Sequence, residues 1–144
     1  MLNDFRFYFK PAAFYEAILR MQNIVTSGNT PFYEFPDLSD GFGFRGDGKA
    51  IEALPVSLVF NLENRFNQLY SFNIGLFTFD INLILFADAA ANAVSYDSLK
   101  RWNYAAGCGL ELLLAEPINL PVRLNYGYDF ERGGLWSLMT GIYF

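Results

Sequence analysis

Residues 55–66 read PVSLVFNLENRF. Val56, Leu58, Phe60, Leu62 and Phe66 fall on one parity, and Ser57, Val59, Asn61, Glu63 and Arg65 on the other. Successive side chains of a strand point to opposite faces, so a period of 2 sets an apolar face against a largely polar one. On a helix, with about 3.6 residues per turn, the same residues would scatter around the axis. The stretch therefore predicts a strand with two chemically distinct faces.

The pattern recurs on both sides. In 3–10, Phe5, Phe7 and Phe9 oppose Asp4, Arg6, Tyr8 and Lys10, and Pro11 interrupts the ladder. In 14–25, Tyr15, Ala17, Leu19, Met21 and Val25 oppose Glu16, Arg20 and Gln22. That segment alternates better than it repeats every 3.6 residues, so a strand is favoured over a helix. The stretch 70–90 is apolar on both parities. It reads either as two strands with a turn near Thr78–Asp80 or as one long bent strand. A polar loop at 91–100 precedes a Gly-rich strand at about 101–114, and AEPINLP turns the chain into 121–130. There Val122, Leu124, Tyr126, Tyr128 and Phe130 oppose Arg123, Asn125, Gly127 and Asp129. After the turn ERGG comes a terminal strand in which Trp136, Leu138, Ile142 and Phe144 share a parity broken only by Thr140. Gly141 lies on the other parity, with Ser137, Met139 and Tyr143.

The expected fold is all-β: one domain over 1–144, an antiparallel barrel or half-barrel of seven or eight strands. The well-defined strands run for about 10–12 residues, near the length of a tilted strand that crosses a bilayer. The long irregular stretch at about 26–54, rich in Gly, Asp, Pro and Ser, is a functional or disordered loop by its length alone.

Composition narrows the function. The chain is 53% hydrophobic and 19% aromatic but only 17% charged, against about 25% charged in an ordinary soluble domain. No run approaches the roughly 18 apolar residues of a membrane helix. A net charge of −5 disfavours nucleic acid, because phosphate binding requires a basic face. With no His and a single Cys, the serine and cysteine triads and most zinc sites are excluded. No catalytic residue, cofactor or metal is expected, and the protein is not expected to be an enzyme. The N-terminus MLNDFRFYFK alternates from the start and is not a signal peptide, so the chain is expected to be a mature form or a fragment.

Several local motifs have bland readings. GFGFRG at 41–46 matches G-x-G-x-x-G, but a dinucleotide site requires a strand before it and a helix after it, and neither is expected. Arg45-Gly46-Asp47 spells an adhesion tripeptide too short to carry information. Glu63 and Arg65 share a face and Asp88 sits within or at the end of a later strand. They read as interior charges that solvate one another, since a catalytic pair lacks a companion base. Cys108, in a Gly-rich strand, is expected to be packed rather than reactive. Gly107, Gly109, Gly127 and Gly141 mark places where a strand bends or a loop approaches closely.

Alternation does not say which face meets solvent: a soluble barrel turns its apolar face inward, a membrane barrel outward. Scarce charge, aromatics near strand ends (Phe14, Tyr15, Phe66, Trp102, Tyr104, Trp136, Phe144) and polar or Gly-rich opposite faces favour the membrane.

The order of these pieces resembles a known family. A strand is followed by SGN-PFYEF, a loop with FRGDG, then NLENRF, LILFADAA, AAGCGLELL, PVRLNYGYDF and a terminal strand ending in Phe. This is similar to the C-terminal half of the barrel of the BamA/TamA outer-membrane assembly family, the bacterial surface antigen barrel, over roughly 14–144. The FRG at 44–46 resembles the family's Val/Leu-Arg-Gly-aromatic loop motif, with Asp47 in place of the aromatic. The resemblance implies an integral protein of the bacterial outer membrane, involved in outer-membrane protein assembly or translocation. The partners it implies are membrane lipid and either the barrel assembly machinery or client proteins. It implies that the terminal strand, through Trp136, Leu138, Gly141, Ile142 and Phe144, acts as an assembly signal. It also implies that the loop arginine, carried onto Arg45, points into the lumen and pairs with wall carboxylates, here Glu63 and Asp88. Arg45 is the only basic residue in 21–48 and lies between Phe42 and Phe44, which suits a loop folded back inside; the alternative is an exposed loop whose arginine has no partner. The family's periplasmic repeats and first half-barrel have no counterpart in this sequence, so the strands are expected to close alone, to form half of a larger barrel, or to pair with another chain or copy. Two further readings stay open: a soluble β-barrel that binds an apolar ligand, and a bare membrane anchor for a domain encoded elsewhere.

Overall fold

The computed structural model describes residues 2–26, 31, 35, 44–46, 54–116 and 120–140. The chain builds seven strands: β1 (Leu2–Ala12), β2 (Tyr15–Val25), β3 (Val56–Ile74), β4 (Phe77–Ala93), β5 (Asn103–Glu116), β6 (Leu120–Asp129) and β7 (Gly133–Thr140). They form one sheet in the order β1-β2-β3-β4-β5-β6-β7, each strand antiparallel to the next. The sheet is not closed, and β1 and β7 are its edges. A short 3-10 turn, Tyr96–Ser98, is the only helical element among the described residues.

The register carries the alternation of each strand across the whole sheet. One cross-strand row is Leu19, Leu62, Ala87, Ala106 and Tyr128; the next is Ile18, Glu63, Phe86, Gly107 and Gly127. The first row belongs to the face that exposes Phe5, Phe7, Phe9, Leu85, Leu110, Leu124, Trp136 and Leu138. The second belongs to the face that buries Arg20, Gln22, Asn61, Glu63, Asp88, Asn103, Arg123, Asn125 and Asp129. This is the reverse of a soluble sheet, in which the apolar face is packed and the polar face is wet.

A single layer buries one of its own faces only by curling around it. Adjacent strands lie about 4.8 Å apart, so β3 and β6 would be roughly 14 Å apart on a flat sheet. Arg123 on β6 nevertheless donates two hydrogen bonds to Glu63 on β3, at 3.1 and 3.0 Å, across β4 and β5. The small apolar core, Phe44, Val59, Ala90 and Ala105, lies inside this curl beneath the loop residues 44–46.

The turn expected near Thr78–Asp80 lies instead at Gly75 and Leu76, so β3 and β4 run for 19 and 17 residues. Gly75 has φ +61, the left-handed conformation that glycine adopts without steric cost. The stretch looked apolar on both parities because Ile84 and Phe86 face inward among the polar residues. Beyond the end of β2 the β3–β4 register shifts between Phe66 and Tyr70. Gln68 takes φ 55 there, and its backbone N–H donates to Asn82 Oδ1 at 2.7 Å. Cys108, expected to be packed, is exposed, because its parity is that of the outward row of Leu110.

Connections at the two ends of the sheet differ. β1–β2, β3–β4 and β5–β6 are joined at one end through 13–14, 75–76 and 117–119. At the other end lie 26–55, 94–102 and 130–132. We expect Gly75→Ala to cost about 1 kcal/mol, because the added Cβ is disfavoured at positive φ; chemical unfolding in detergent micelles measures it, with tryptophan fluorescence as the signal.

Candidate functional site

The site lies on the polar face where β3, β4 and β6 meet residue 45. Asp88 pairs with Asn61 on one side and Ala105 on the other, and Glu63 sits one row away beside Phe86. Alternation alone puts both carboxylates inward. The next two positions of the Glu63 row are Gly107 and Gly127, which leave a shelf without side chains.

The loop uses that shelf. A Cβ at Gly127 would collide with the Arg45 carbonyl oxygen, and one at Gly107 with the Tyr126 carbonyl oxygen and the Phe86 ring. Phe86 reaches over Gly107, and the Arg45 guanidinium carbon lies 3.9 Å from its ring centroid. The loop backbone thus approaches the sheet because two glycines make room, and the arginine stacks on the ring in cation–π geometry.

Arg45 is held at three points by Asp88. Its backbone N–H and its Nε donate to Oδ2 at 2.9 and 2.8 Å, and Nη2 donates to Oδ1 at 2.6 Å. Nη1 donates to Glu63 Oε2. Asn61 Nδ2 adds a bond to Asp88 Oδ1 at 2.9 Å. Glu63 accepts from two further arginines: Arg65 Nε at 2.6 Å, and Arg123 through both terminal nitrogens. Arg123 Nε is itself held by Asn125 Oδ1 at 2.7 Å. Arg45, Glu63, Asp88 and Arg123 are all buried. Burial disfavours the charge on Arg45, but the adjoining Asp88 and Glu63 carboxylates outweigh it and hold its proton more firmly than in a free arginine.

The structure therefore brings together Arg45, Glu63 and Asp88, the three residues expected to meet. It adds Arg123, Arg65, Asn61, Phe86 and the glycine shelf. Arg65 was visible beside Glu63 in the sequence. Arg123 had a signal only in its parity, because its partner is set by register across two intervening strands. Of the terminal set, Trp136 and Leu138 lie on the outward face, at 65% and 70% exposure. Gly141, Ile142 and Phe144 lie outside the described residues, as do Phe42, Asp47 and most of the loop at 26–54. Among the described residues no cluster of three or more His, Cys, Asp or Glu is placed to hold a metal ion, and no helix is long and apolar enough to cross a membrane, which says nothing of strands.

What the arrangement does chemically is to clamp. Planar guanidinium groups meet carboxylates through paired bonds, with no nucleophile or proton acceptor left beside a cleft. The fold and the clamp define a class: an antiparallel, inside-polar β-sheet with an internal loop latched to its wall. Comparison with known families, curated proteins and solved structures finds no match to this chain.

Two outcomes test the clamp. Glu63→Gln should cost about 3–5 kcal/mol, since it leaves buried arginines without their shared counter-charge. Arg45→Ala should cost less, about 1–3 kcal/mol, and the double mutant should be non-additive because the two residues touch. Unfolding midpoints in detergent give all three values. Gly127→Ala should release the loop while leaving the sheet folded, read as faster proteolysis near residue 45 at unchanged circular dichroism.

Proposed function

We propose that this chain forms part of the wall of a β-barrel in the bacterial outer membrane. One observation carries the reading: the sheet buries its charged face and exposes its apolar one. In water such an outer face, with Phe5, Phe7, Phe9, Leu62, Leu85, Leu110, Leu124 and Leu138 all exposed, would drive aggregation; against lipid chains it is the stable arrangement. The reading of a soluble barrel holding an apolar ligand requires the opposite orientation. Ring pairs near the strand ends, Tyr15 with Phe66 and Phe60 with Trp102, suit interfacial girdles. The end connections agree, for barrels of this kind keep short turns on the periplasmic side and long loops outside. By that rule 13–14, 75–76 and 117–119 are periplasmic, and 26–55 and 94–102 face outward. β7 runs toward the periplasmic side, where a terminal assembly signal would be read.

Within this class we place the chain in outer-membrane protein assembly or translocation, on its resemblance to the BamA/TamA barrel. The contact of Arg45 with Glu63 and Asp88 supports that placement, because the resemblance implied it before the register was known. Lipid, the barrel assembly machinery and client outer-membrane proteins are the proposed partners.

The membrane reading predicts that the protein stays with membranes through an alkaline carbonate wash and is released only by detergent; purification without detergent would refute it. The assembly reading predicts that vesicles carrying the protein speed the refolding of a urea-unfolded outer-membrane protein, and that Arg45→Ala weakens this effect. Equal rates with empty vesicles would remove the assembly role and leave the membrane reading standing.

A further inference from the structure

We infer that the two free edges of the sheet are joined in the membrane by an odd number of additional antiparallel strands, apolar outward and polar inward, rather than by each other or by a second copy of this chain. The inference rests on the membrane reading above.

The argument is one of direction. Seven strands paired antiparallel in sequence order leave β1 and β7 running the same way. A seam made directly between them would be parallel, and the two edges are not paired. A second copy does not help. Copies inserted into a membrane with the same orientation present edges that all run in one direction, so any seam between them is again parallel. The long connections do not help either. Residues 26–55 and 94–102 each leave and re-enter the sheet at the same end, so any crossings they made would come in pairs. Parity can be restored only by strands beyond residues 2–140, in odd number.

Lipid makes the requirement strict. Each edge carries a row of backbone N–H and C=O groups without sheet partners, and hydrocarbon offers none. Bacterial single-chain barrels accordingly contain an even number of antiparallel strands. The side chains at the edges specify the partner's amphipathy. On β1, Phe5, Phe7 and Phe9 are exposed outward, while Asp4 lies on the inner face, bonded to Arg6 and Arg20. On β7, Trp136 and Leu138 are exposed outward. A completing element must alternate in the same sense, its apolar side chains level with these and its polar ones inside.

A parity test decides it. Three proteins are compared in detergent micelles by amide hydrogen exchange and particle mass: the chain itself, the chain preceded by one hairpin-linked strand copied from Leu120–Asp129, and the chain preceded by two strands copied from Asn103–Asp129. In the chain itself the amides of β1 and β7 should exchange as unpaired edges while β3–β5 stay protected. One added strand should slow exchange in β7 by at least about tenfold, as a paired ladder does. Two added strands should leave β7 fast. Protected edges in the unextended chain would overturn the inference, whether its mass is one copy or two. So would equal protection of β7 by one and by two strands, or a fast β7 in the one-strand protein while its β3–β5 remain slow. A chain that is soluble without detergent would overturn the membrane reading, and this inference with it.

Discussion

Glu63 is the residue on which the interior depends. Its side chain is buried in the curl of the sheet and accepts hydrogen bonds from Arg45 in the loop, Arg65 on its own strand and Arg123 three strands away. A lone carboxylate there would be very unfavourable, since burial removes the water that stabilises its charge. Three guanidinium groups offset that, and each belongs to a different part of the chain. One side chain therefore ties the loop to the wall and one side of the curl to the other.

The glycine shelf is the complementary steric condition. Charge attraction alone would not seat residue 45, because ordinary side chains at 107 and 127 would hold the loop backbone away from the sheet. With glycine at both positions the Arg45 carbonyl reaches Gly127 and the guanidinium lies on Phe86. Polar contact and close packing are thus supplied by the same cross-strand row. Asp88 completes the latch from the adjacent row by accepting the Arg45 backbone N–H as well as its side chain, which orients the loop as well as attracting it.

The outer face follows a different rule. Its residues make few tertiary contacts of their own, and the sheet remains a single layer. Its stability must therefore come from backbone pairing, from the interior network and from the medium against which Leu62, Leu124 and Leu138 lie. A hydrocarbon medium supplies the last and forbids open edges. The orientation of the two faces and the unpaired state of β1 and β7 are thus two consequences of one environment.

Much of this was legible in the sequence. Period-2 alternation at 55–66, 14–25 and 121–130 dictates strands and assigns each residue to a face, because side-chain direction is a local property of extended backbone. The pairing of Arg45 with Glu63 and Asp88 was legible too, through the lone basic residue of a Gly-rich loop and the resemblance of its FRG. Alternation could not place the turn at Gly75, since inward Ile84 and Phe86 masked the polar face. Nor could it find Arg123 or the shelf at Gly107 and Gly127, whose roles come from register across strands far apart in sequence. Local chemistry decides which face a side chain takes. Only the tertiary structure decides which distant side chains meet there, because curl and register are collective properties of the whole sheet.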